Sequence, residues 1–244
     1  MTLSSASAAD DISISRRGVV EPDAELKAFV GQFEAAITAK KPDYKKIGKM
    51  FAPKVTTFQR SLDPLQPWNK TEPLTGDYLD GIIDIIVEQA PLPDDQPQPD
   101  YRPDALAMMA MMLDAGPLGE VKELPGAVCA PAQWSYDAAK VKAFAKKSDT
   151  GVSGMRFYKE DTPLFAKPKK GAKQAAMLPA YTLVAWDSPM DEPDNWMRVV
   201  SASGLEGHIA DTDSNEGTYL SQMHVCFGKV SGKYKITGIF GYGL

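Results

Sequence analysis

The sequence predicts an α+β protein: a helical N-terminal region, a small β-barrel and a C-terminal β-hairpin. Three observations carry this. Apolar residues recur at helical spacing through much of the first 150 residues. After Gly154 the pattern changes to short aromatic or β-branched runs divided by Pro, Gly and Asp. The end of the chain is two alternating runs joined by Ser231-Gly232, a two-residue turn.

The elements follow in order. Residues 1–20 have no periodicity and form a disordered tail or a signal-peptide remnant. "MTLSSASAADD" carries the small-x-small pattern that signal peptidase accepts, without the basic and apolar stretches that should precede it. Residues 21–153 form the helical or α+β region. Its first helix lies within "EPDAELKAFVGQFEAAITAKKPD", with Leu26, Phe29, Val30, Phe33 and Ile37 on one face, Pro22 in the first turn and Pro42 as the stop. "DYKKIGKMF" reads as a second, short helix and "KVTTFQR" as a strand. The stretch with Pro64, Pro67 and Pro73 is a loop. Further helices are "GDYLDGIIDIIVEQA", "ALAMMAMMLDAG" with Gly116 beyond its end, and "SYDAAKVKAFAKKSDTG" with Ser135 as N-cap. Residues 154–213 form the barrel and 214–244 the hairpin, with Tyr234, Ile236, Phe240 and Tyr242 expected on one face. The hairpin either packs back on the N-terminal helices, making the barrel an insertion, or belongs to an enlarged barrel.

The composition narrows the classes of function. A net charge of −5 with one small basic cluster, "KPKKGAK", argues against nucleic-acid binding. No apolar run approaches the ~20 residues a transmembrane helix needs. Cys129 and Cys226 are either two buried thiols or, in an oxidising compartment, a disulfide. The signal-like start favours the bridge and a periplasmic or secreted location.

The stretch from Met155 to Asp211 resembles the bacterial SH3-like domains of secreted and cell-wall-associated proteins. The resemblance rests on the order of "TPLFAKP", "AAMLPAYTLVAWD", "NWMRVV" and "SGLEGHIA". Two positions depart from it: Ala180 stands where a glycine is usual, and His208 where the last strand normally presents tryptophan. The closing "CFGKVSGKYKITGIF" is similar, more weakly, to the final hairpin of transport-factor-like folds. The resemblance implies a non-catalytic module, with Tyr158, Tyr181, Trp186, Trp196 and His208 as ligand-binding residues. Its implied partners are a peptide, a cell-wall fragment or an envelope protein.

No catalytic constellation emerges. The chain has two histidines, His208 and His224, and a Cys129–His208 dyad competes with the disulfide for the same sulfur. "DTDSNEGTYLSQ" imitates a calcium loop, but Glu216 stands where Gly belongs and Gln222 where a bidentate Glu belongs. Met108, Met109, Met111 and Met112 read as core filler before they read as thioether ligands. No metal, cofactor or catalytic residue is therefore expected. The leading expectation is a non-enzymatic periplasmic or secreted binding or adaptor protein. The alternatives are a small-molecule pocket between Phe29, Phe33, Ile82 and the hairpin, and a cell-envelope hydrolase.

Overall fold

The computed structural model describes residues 11–76, 78–86, 100–187, 196–210 and 217–242. Among them are fifteen strands in three sheets and five α-helices, and no sheet closes into a barrel. This corrects the expected helical region plus small barrel: the protein is predominantly β. Of the disordered tail or signal-peptide remnant expected over 1–20, residues 1–10 lie outside the described residues; 11–20 are ordered, with Ile12 and Ile14 buried and Ser15–Arg16 in a strand.

The chain divides into two compact units. One comprises Arg16–Leu62, Gln66–Gln133 and Gln222–Leu244. Its centre is a six-stranded sheet in the order Asn69–Lys70, Phe51–Arg60, Lys233–Tyr242, His224–Val230, Val128–Ala130, Gly119–Glu120. All neighbours are antiparallel except Phe51–Arg60 and Lys233–Tyr242, which run parallel.

Helices α1 (Ala24–Ile37), α2 (Tyr44–Gly48), α3 (Tyr78–Ile86) and α4 (Arg102–Asp114) belong to this unit and lie where the periodicity places them. Their ends are set locally. Asp23 caps α1 by accepting from the Leu26 amide at 2.7 Å, so Pro22 lies just outside the helix. The apolar stripes of α1, α3 and α4 form one core with the sheet. Phe33 meets Phe51 and Phe227 edge to face at 6.4 and 6.3 Å, and Phe51 stacks on Tyr78 at 5.2 Å. Burying each such ring contributes about 1.5–3 kcal/mol. Met109 and Met112 are buried in this core and Met111 is exposed. That is the distribution of packing side chains around a helix.

The hairpin corrects one expected face. Phe227 opposes Ile236 and Cys226 opposes Gly238, so Thr237 is an extra, unpaired residue in its strand. Because side chains alternate with period two, this bulge reverses the parity. Ile236 and Ile239 therefore both face the helices, while Phe240 joins Phe58 and the disulfide in a cluster of its own. At the turn, Ser231 and Gly232 both take left-handed φ, 50° and 79°. Serine is strained there and asparagine is not, so Ser231→Asn is expected to raise stability by about 0.5 kcal/mol in chemical denaturation.

The other unit comprises Met1–Ser15, Asp63–Leu65 and Trp134–Ser221. Its antiparallel sheet has seven strands in the order Thr218–Tyr219, Arg156–Phe157, Val184–Asp187, Trp196–Ser201, Glu206–Ala210, Thr162–Phe165, Gln174–Leu178. Both faces carry apolar clusters. Tyr158, Leu164, Leu178, Val184, Val199 and Ile209 pack on one. On part of the opposite face, Phe157 and Ala185 pack with Ile12, Ile14 and α5 (Ala138–Ser148). Asp137, whose carboxylate accepts from the Ala139 and Lys140 amides, caps α5; Ser135 does not, because it lies in the strand Trp134–Ser135. That strand and Ser15–Arg16 form the third sheet.

Candidate functional site

The five residues expected to bind ligand do not form one groove. Tyr158 is buried in the sheet's apolar cluster. Trp186 lies under the guanidinium of Arg156, 4.5 Å from the ring centroid, and Tyr219 takes the same guanidinium at 4.6 Å. Arg156 also donates to the Tyr219 hydroxyl and to the Met197 sulfur. Arg156 is 8% exposed, so this cation–π ladder packs the unit and is not an open platform. The ladder exists because Arg156 is in register with both Val184 and Tyr219.

Tyr181 stands apart, stacked on Phe157 at 5.9 Å with its backbone at φ 59°. The left-handed residue of this corner is thus Tyr181 and not Ala180. Its amide donates to Tyr158 O and its carbonyl accepts from Ile14 N. These two bonds hold a conformation that costs a bulky residue about 1 kcal/mol or more.

Trp196 and His208 do come together, on the part of the sheet that the Phe157 cluster leaves uncovered. Gln174, Phe165, His208 and Arg198 are consecutive register partners across four strands. Residues directly opposite in a sheet share a face. Phe165 and Trp196 pack edge to face at 5.8 Å, both half-buried. The His208 Nδ1 lies 3.2 Å from the Phe165 carbonyl oxygen. The Arg198 guanidinium pairs with Glu206 at 3.2 Å, with side-chain exposures of 45% and 61%. The result is a row of aromatic and planar hydrogen-bonding groups, half-buried at Phe165, Trp196 and His208 and exposed at Gln174 and Arg198.

One end of this row runs into the turn that joins Thr162–Phe165 to Gln174–Leu178. The turn is "AKPKKGAK", closed by Ala166 N donating to Lys173 O, with Gly171 at φ 76°. Lys167, Lys169, Lys170 and Lys173 are all exposed. Sequence reasoning singled out the lysines, Trp196 and His208 but missed Phe165 and Arg198. Their only signal is alternation within short strands, which does not say which strands are neighbours.

The other chemical candidates are placed as follows. Cys129 and Cys226 are joined, fully buried, and in direct register across adjacent strands. That removes the thiol a Cys129–His208 dyad requires. His224 is 2% exposed, donates Nδ1–H to Pro131 O at 2.8 Å, and meets Trp68 and Phe240 edge on. Burial pushes its pKa down to about 4, against the Pro131 hydrogen bond and with the help of the Arg60 and Arg16 charges. It is a neutral packing group.

The cavity expected between Phe29, Phe33, Ile82 and the hairpin is filled, because Phe227 and Ile236 occupy that space with Phe33 and Ile82. An open cleft of about 510 Å³ lies elsewhere in the same unit, lined by Tyr44, Lys45, Lys49, Tyr78 and Arg102. Arg102 is held there by Asp100 at 2.7 Å. No group of three His, Cys, Asp or Glu side chains suited to a metal occurs among the described residues. The first half of the calcium-like stretch, 211–216, falls outside them.

Fold and site together define a β-rich, two-unit, disulfide-bonded protein with a partly exposed aromatic and polar row on one sheet face. Comparison with protein-family models, curated proteins and solved structures finds no match.

Proposed function

We propose that this chain is a non-enzymatic binding or adaptor protein of the periplasm or the extracellular space, and that the row through Phe165, His208 and Arg198, with Trp196 beside it, is its docking face. The observation that carries this reading is the partly exposed row of aromatic and polar groups brought into register on one face of the sheet. Aromatic rings flush with a rigid sheet, flanked by groups that donate and accept in a plane, are the anchors that recognition surfaces favour. The buried disulfide supports an oxidising compartment, and no described helix is long and apolar enough to cross a membrane.

The test is co-sedimentation of the purified protein with isolated cell-envelope material. Phe165→Ala combined with Trp196→Ala is expected to abolish it, at the cost of little more than the rings' own partial burial in stability. Undiminished co-sedimentation of the folded double variant would remove this face from consideration.

A further inference from the structure

Resting on that reading of the face, we infer that its ligand is an acidic polysaccharide, a chain of sugars carrying carboxylate or phosphate groups. Such a ligand makes three demands: an apolar surface for the C–H face of a sugar ring, planar hydrogen-bonding partners for hydroxyls, and cations for the acidic groups. The first two lie on one face of the sheet, and the third in the turn at the end of that row. Phe165 and Trp196 supply the apolar surface. Gln174, His208 and Arg198 supply the hydrogen-bonding row, in register with Phe165 or with one another.

Lys167, Lys169, Lys170 and Lys173 supply the charge. They are concentrated in the eight-residue turn that begins directly after Phe165, and none is in an ion pair among the described residues. Four unpaired cations crowded into a single turn repel one another, and an anionic ligand relieves that repulsion.

The row's direction separates this ligand from others. From Gln174 to Arg198 it crosses four strands, about 14 Å at the usual strand spacing. A peptide added to the sheet would instead run along an edge strand, using main-chain hydrogen bonds.

The experiment is calorimetric titration of the full chain with alginate oligosaccharides, a polyuronate probe. Neutral dextran, poly-glutamate and single-stranded DNA are titrated in parallel. Alginate is expected to bind and dextran not to. Affinity should weaken about tenfold or more when the four lysines are changed together to glutamine, and should fall as salt rises from about 50 to about 200 mM. Trp196→Ala should weaken alginate binding comparably at unchanged salt dependence, because it removes stacking and no charge.

Equal binding of poly-glutamate or DNA, indifferent to Trp196→Ala, would reduce the turn to a simple cation exchanger and overturn the inference. Absence of alginate binding, with co-sedimentation still dependent on Phe165 and Trp196, would overturn the inference and leave the docking face standing. If co-sedimentation is also indifferent to those rings, both fall.

Discussion

Replacing both Cys129 and Cys226 by alanine is expected to lower the unfolding free energy by about 3–5 kcal/mol, a large share of the stability of a domain this size. The two positions are 97 residues apart in sequence, and the loop they close contains the whole segment Trp134–Ser221 of the other unit. The magnitude therefore reports how the units unfold. If both unfold together, the loop released is a long flexible chain and the loss is about 4–5 kcal/mol. If the seven-stranded unit stays folded while the six-stranded sheet melts, it shortens the effective loop and the loss is nearer about 3 kcal/mol. Alanine is the right replacement, because both sulfurs lie in an apolar cluster with Phe58, Val121 and Phe240, where a serine hydroxyl would add its own penalty. Urea denaturation of the double variant, beside the reduced native chain, measures the effect. A difference under about 1 kcal/mol would mean that strand pairing alone holds these residues and that the covalent link is thermodynamically idle.

The second large effect is a loss of stability between neutral and mildly acidic pH that traces to His224. Its folded pKa is about 4 against 6.5 for an ordinary histidine, chiefly because burial disfavours the imidazolium. The sign follows from proton binding. Above pH 6.5 neither state holds the proton; from there down to about 4 the unfolded chain does and the folded chain does not. Stability therefore falls with decreasing pH across that window, by about 3 kcal/mol in all, and the contribution levels off below it. Asp23 and Asp100 have pKa values below the ordinary 3.8, so their losses begin at lower pH and do not mask the histidine. His224→Phe keeps an aromatic ring against Trp68 and Phe240 while removing the titration. Urea midpoints at pH 7 and pH 4.5 are expected to differ substantially for the native chain and little for the variant. An unchanged pH dependence in the variant would assign the effect to other groups.

The sequence by itself determined the features that neighbouring residues decide. The five helices announce themselves through apolar spacing, and Ser231-Gly232 marks the hairpin turn, because both depend on backbone preferences within a few residues. The pairing of Cys129 with Cys226 was readable from their even number. The tertiary structure alone decided the sheets. Val128–Ala130 is a strand because Val225, Cys226 and Phe227 pair with it from almost a hundred residues away, and nothing in "GAVCAPAQW" records that partner. The same holds for the row through Phe165, His208 and Arg198, and for the ladder around Arg156. Each is built by register between strands distant in sequence, where one inserted residue such as Thr237 exchanges the two faces. Period-two alternation states that a side chain points up or down; only the hydrogen-bonded neighbour states what it points beside.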